Sequence, residues 1–133
     1  MSQKVDEAAY LGAYSYYKTS PVFSLDQKET LTAIDKLQEF INTYPNSEKF
    51  GLKSQMDRCC ISMPSNITEG SSRTDKSFSH FIDISLGSSY ELQTQLILAN
   101  HRKYITDDFS SLIEIKIEEF QKATMSFQNT LNK

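Results

Sequence analysis

Residues 51–73 read GLKSQMDRCCISMPSNITEGSSR, and the reading of Pro64 within them decides the fold. Leu52, Met56, Cys59, Cys60, Met63 and Ile67 recur at three- and four-residue intervals, the spacing of one buried helical face. Proline lacks a backbone N–H, and its ring crowds the carbonyl four residues back, so within a helix it bends or restarts the chain. The pattern predicts a helix that follows Ser47, bends or restarts at Pro64, and ends at Gly70-Ser71-Ser72.

Working outward, the flanking segments carry the same periodicity. Ser24-Leu25-Asp26-Gln27 has the S-x-x-Q spacing of a capping box, in which a hydroxyl and a side-chain amide satisfy backbone donors at a helix start. A first helix is therefore predicted over about residues 26–43, with Leu31, Ile34, Leu37 and Ile41 as its apolar stripe and Pro45-Asn46-Ser47 as its stop. A third, from about Lys76 to Tyr104, carries Phe78, Ile82, Leu92 and Leu96 on one stripe and Ile84, Ser88, Glu91, Gln95 and Leu98 on a second. Two stripes give a central helix with contacts on more than one side, and its serines and Gly87 suit close approach of a neighbouring helix. Thr106-Asp107-Asp108 offers cap-forming residues before a fourth helix that runs through Ile113, Ile117, Phe120 and Phe127 to Leu131. No strand-like alternation competes. The expected fold is all-α: an antiparallel up-down-up-down four-helix bundle over residues 24–133, preceded by an arm at 1–23. That arm places Tyr10, Tyr14 and Tyr17 at helical spacing, suited to docking on the bundle or to gripping a partner.

A chain of 133 residues has room for one hydrophobic core. Its net charge of −3 lacks the basic footprint usual in nucleic-acid binders, and residues 48–103 are only marginally basic, with seven Lys and Arg against six Asp and Glu. Adjacent Cys59 and Cys60 could close only a strained ring, so they read as reduced thiols packed as small core residues in a cytoplasmic protein. The acidic, non-apolar start MSQKVDEAAY is unlike a signal peptide, and no segment approaches the ~20 apolar residues that span a bilayer; a role in the membrane is not expected.

Catalytic chemistry has little to work with. A hydrolytic nucleophile needs a base within hydrogen-bond reach, yet the only histidines, His80 and His101, lie about six turns apart on one helix. Metal-ligand spacing is missing around the cysteines, Gly70-Ser71-Ser72-Arg73 lacks the glycine pattern of a phosphate loop, and Glu114, Glu118 and Glu119 have no matching ligands on another helix. Neither catalytic residues nor metal nor cofactor are expected. One polar constellation remains: Arg58, Ser62, Asn66 and Glu69 recur at helical spacing, opposite Glu91 and Gln95. Facing each other, they would form a network across the bundle interior, centred on an Arg58–Glu91 pair, that fixes helix register or lines a ligand site.

GLKSQMDRCCISMPSNITEGSSR, followed by FSHFIDISLGSSYELQTQLILA at 78–99, resembles the four-helix family first named for proteins encoded in intervening sequences of bacterial 23S ribosomal RNA genes. The family pattern runs G-L-x-x-Q-x-R-R-A-A-x-S-I-P-x-N-I-A-E-G, then F-x-x-F-L-x-I-A-x-G-S-x-x-E-L-x-T-Q-L. Pro64, Asn66, Glu69, Gly70, Gly87, Glu91 and Gln95 fall in register with it. The resemblance extends to the accessory variability determinant of diversity-generating retroelements, a pentameric barrel of four-helix protomers that binds nucleic acid and a reverse transcriptase. It implies a self-assembling scaffold or adaptor, a homopentamer, whose partner is another protein or a nucleic acid. Two departures stand out. Asp57-Arg58 replaces Arg-Arg, removing a positive charge, and HRKYI at 101–105 stands where Leu-Gly-Tyr is common after the third helix, so that Tyr104 and Ile105 match while His101, Arg102 and Lys103 form a local basic cluster. With Lys49, Lys53 and Arg73, the Arg102-Lys103 pair forms the candidate phosphate-binding set, although such cations also complement a helix dipole.

Overall fold

The computed structural model describes residues 21–132, with side chains described from Thr30 onward. Among these residues there are four α-helices and no strand: α1 (Pro21–Ile41), α2 (Leu52–Ser71), α3 (Asp75–His101) and α4 (Asp107–Leu131), with a 3-10 turn at Asn46–Glu48. The tyrosines of the arm, Tyr10, Tyr14 and Tyr17, lie outside the described residues.

The helices form an antiparallel bundle. Met63 meets Ser85 while Arg58 meets Glu91, so α3 descends as α2 rises. Phe127 packs on Phe78 and Gln121 reaches Ser89, giving the same sense for α3 and α4. Phe40 stacks on Phe109 at 4.2 Å between ring centroids, closing α1 against α4. Each helix packs against its chain neighbours, α1 packs against α4, and the backbones of the diagonal pairs stay apart, so the arrangement is a square with side chains of all four helices meeting at its centre. The core lies on its axis, where Leu37, Met56, Met63, Phe78, Leu92 and Phe120 are essentially inaccessible to solvent.

Several boundaries differ from the sequence reading. Ser24 lies inside α1, which is already helical at Pro21, so the S-x-x-Q spacing does not mark its start. The arm therefore gives way to helix before residue 24. α2 begins only at Leu52, because Asn46–Glu48 forms a 3-10 turn first. α3 stops at His101, with Lys103 turned to φ 62°. Thr74 and Thr106 do cap α3 and α4, their hydroxyls accepting from the Ser77 and Phe109 amides.

Pro64 neither ends nor restarts α2, which runs through it unbroken. Side chains supply donors around the proline. The Ser85 hydroxyl donates to the Met63 carbonyl at 2.7 Å, and the Asn66 amide donates to the Ser62 carbonyl at 2.8 Å. At the far end of α2, α3 packs directly on Gly70: a Cβ there would lie 2.7 Å from Phe78 Cδ1 and 2.8 Å from Phe81 Cβ. Gly87 behaves oppositely. Nothing lies within 4 Å of where its Cβ would be, so it permits no close approach within the protomer.

Gly70→Ala should lower the unfolding free energy by about 1–2 kcal/mol, because overpacking against Phe78 and Phe81 outweighs the better helix propensity of alanine. Urea unfolding of the variant measures this directly.

Candidate functional site

The polar constellation of α2 and α3 separates into two parts. Arg58 Nη2 donates to Glu91 Oε2 at 2.6 Å and Arg58 Nε to Gln55 at 3.2 Å. The pair is half exposed, 49% and 52%, and so lies on the outer edge of the α2–α3 seam instead of crossing the interior. An ion pair at this exposure adds little stability on its own. One turn further along, Ser62 shares a 2.7 Å hydrogen bond with Ser88, and Asn66 Nδ2 donates to Ser62 Oγ at 3.0 Å. These bonds sit deeper and tie the two helices at one register.

Two predicted members fall outside that network. Glu69 pairs with Arg73 on the next turn of its own chain. Gln95 lies on the seam, but its Oε1 is buried without a hydrogen-bond partner. Gln121, which no sequence pattern singled out, bridges α4 to α3: its Nε2 donates to Ser89 Oγ at 3.0 Å and to Gln93 Oε1 at 3.1 Å.

Cys59 and Cys60 are both buried. Burial pushes each thiol above its ordinary range; Glu91 raises Cys59 further, while Arg58 and Gln95 pull it partly back. Protonated thiols without access to solvent are not nucleophiles. His80 and His101 are exposed, and among the described residues no three His, Cys, Asp or Glu side chains group as metal ligands.

The predicted basic set is divided between the two ends of the bundle. Arg73 lies in the α2–α3 connection, bonded to Glu69 and placed over the Phe81 ring. The others belong to the opposite end, where the α1–α2 and α3–α4 connections meet. Lys53 pairs with Asp57 at 2.9 Å, Arg102 pairs with Glu48 at 2.6 Å, Lys49 lies 5.4 Å from the Phe50 ring centroid, and Lys103 is exposed.

Glu48 organises this end. Its side chain is only 12% exposed and accepts three hydrogen bonds, from the Leu52 amide, Arg102 Nη1 and the Tyr104 hydroxyl, at 3.2, 2.6 and 2.8 Å. Leu52 is the first residue of α2, so the carboxylate satisfies one of the amides left open at a helix start and faces the positive end of the helix dipole. The Tyr104 hydroxyl, the Leu52 amide and the Arg102 guanidinium all favour the ionised form and hold Glu48 below its ordinary range, against the effect of burial. Tyr104 is raised by the same bond. The Tyr44 and Tyr104 rings, 4.9 Å apart, pack the two connections together.

The chain turns out of α3 by a Schellman motif, in which the Tyr104 amide reaches the Ala99 carbonyl and the Lys103 amide reaches that of Asn100. The pivot at φ 62° is Lys103, in a position that favours glycine. Sequence reasoning missed Glu48, whose signal is an acidic residue four positions ahead of a helix start. It also missed Phe50, an aromatic residue between Lys49 and Gly51 that sits outside any helical stripe.

Two outcomes are expected. Lys103→Gly should raise stability in urea by up to about 1 kcal/mol, the relief of left-handed strain less the greater entropy of an unfolded glycine. Because Glu48 titrates lower folded than unfolded, its contribution is complete above the ordinary carboxylate range and is lost as pH falls through its folded value. The stability gap between the native chain and Glu48→Gln, followed by thermal unfolding, should therefore be widest near neutral pH and close below about pH 4.

No helix of the described residues is long and apolar enough to cross a membrane. No curated protein matches the chain. A model of the 23S rRNA-intervening sequence protein family matches residues 27–126, a span that begins inside α1 and takes in α2, α3 and most of α4. With four antiparallel helices and a family match over three-quarters of its length, the chain belongs to the 23S rRNA-intervening sequence protein family.

Proposed function

We propose that the protein is a non-enzymatic helical scaffold that assembles with copies of itself and acts by binding another macromolecule in the cytoplasm. The observation that carries this reading is the outer face of α3. Ile84, Tyr90, Ile97 and Leu98 are exposed there, Ile97 at 65%, and Gly87 lies among them. A glycine within a 27-residue helix costs about 1 kcal/mol relative to alanine, and nothing inside the protomer requires it. A neighbouring copy whose backbone approaches at Gly87 would use both the missing side chain and the apolar residues around it. The resemblance to the retroelement determinant favours five copies in that assembly. The polar seam of Arg58, Ser62, Asn66, Ser88 and Glu91 then serves to set helix register within each protomer.

A second reading, binding of nucleic acid, is favoured by Lys103, since a cation held where glycine is easier suggests that the charge has a use. The shared position of Lys49, Lys53, Arg102 and Lys103 at the Glu48 end supports that reading for these four, while Arg73, paired with Glu69 at the other end, adds nothing to it.

Native mass spectrometry and light scattering should give a mass five times that of the 15.2 kDa protomer. Gly87→Leu and Ile97→Glu should each reduce it while leaving the helical circular dichroism intact. A protein that stays monomeric at every concentration would overturn self-assembly.

A further inference from the structure

Phe50 is the most exposed large apolar side chain among the described residues, at 88%. It stands in the α1–α2 connection two residues after Glu48, whose three hydrogen bonds anchor that connection to α2 and to the α3–α4 turn. The ring is thus presented from a braced backbone. Of the carboxylates at this end, Glu48 is held by Arg102 and Asp57 by Lys53, Asp107 accepts from the Asn100 amide, and Asp108 is exposed in the first turn of α4. Among the described residues, no carboxylate pairs with Lys49 or Lys103. One of these lysines adjoins the ring, and the other occupies the left-handed pivot of the opposing turn.

An outward aromatic ring with one unpaired cation beside it, and a second at the same end of the bundle, fits a ligand that offers a flat π-face and phosphates together. We infer that the Glu48 end of the bundle binds unpaired nucleotides of a single-stranded nucleic acid, with a base stacked on Phe50 and the flanking phosphates on Lys49 and Lys103. This rests on the nucleic-acid reading and narrows it. In a duplex the base faces are covered by their neighbours, so a stacking ring selects single strands, whereas phosphate contacts alone would not.

The test is fluorescence anisotropy of the full chain with labelled oligouridylate, oligothymidylate and a duplex of equal length, at about 50–200 mM salt. Single strands should bind more tightly than duplex. Phe50→Ala should weaken their binding by about tenfold to a hundredfold with no loss of thermal stability, since the ring is exposed. Lys103→Gly should lower the salt slope by about one while the fold is retained. Equal binding of duplex and single strands, unchanged by Phe50→Ala, would overturn the stacking site and leave the nucleic-acid reading standing. Absence of binding to any of them at the lowest salt would overturn both. Binding to anionic phospholipid vesicles that depends on Phe50, without binding to oligonucleotides, would replace this site with a lipid-surface contact.

Discussion

The packing of α3 along α2 constrains the rest of the molecule. At one end of this pair Gly70 allows Phe78 and Phe81 to come within reach of the α2 backbone. At its middle the Ser85 hydroxyl bonds to the carbonyl just before Pro64. These contacts leave little freedom to slide or rotate one helix on the other, because a close-packed seam has few alternative arrangements. Once α3 is set, the side of it that faces α4 is determined, and Ser89 and Gln93 are in place for Gln121. Its remaining side, with Tyr90 and Ile97, is left facing outward.

Pro64 has its place in the same scheme. A proline inside a helix removes the donor that would reach the carbonyl four residues back, here that of Cys60. Asn66 and Ser85 bond instead to the Ser62 and Met63 carbonyls just ahead of it, one from α2 itself and one from across the seam, and so hold the backbone around the proline in place. The polar side chains around Pro64 are thus directed at backbone and at the neighbouring helix. The two cysteines of the same stretch are packed as small apolar residues.

What could be read from the sequence divides along physical lines. The helices and their buried faces were legible because three- and four-residue recurrence of Leu31, Met56, Phe78 or Ile117 is a local property of the chain. The Arg58–Glu91 encounter was legible too, as spacing on two helices. Its half exposure was not, since that depends on how far α3 rotates about its axis. The start of α1 was misread because Ser24 and Gln27 have capping chemistry wherever they stand, and only the path of the chain decides whether it is used. Glu48 was invisible for a different reason: its main partners, Arg102 and Tyr104, are 54 and 56 residues away. Contacts at that separation leave no periodic trace.

Glu48 also bears on how the protein moves. Connections between helices ordinarily fray separately, each at its own small free energy. Here one carboxylate holds the start of α2 and the turn after α3 at once, and the Tyr44–Tyr104 contact packs the same two segments together. Releasing either connection breaks bonds that order the other. The shared bonds therefore couple the opening of these two connections, so that their backbone amides are expected to exchange with solvent together, whereas no bond of Glu48 reaches the α2–α3 turn at the far end.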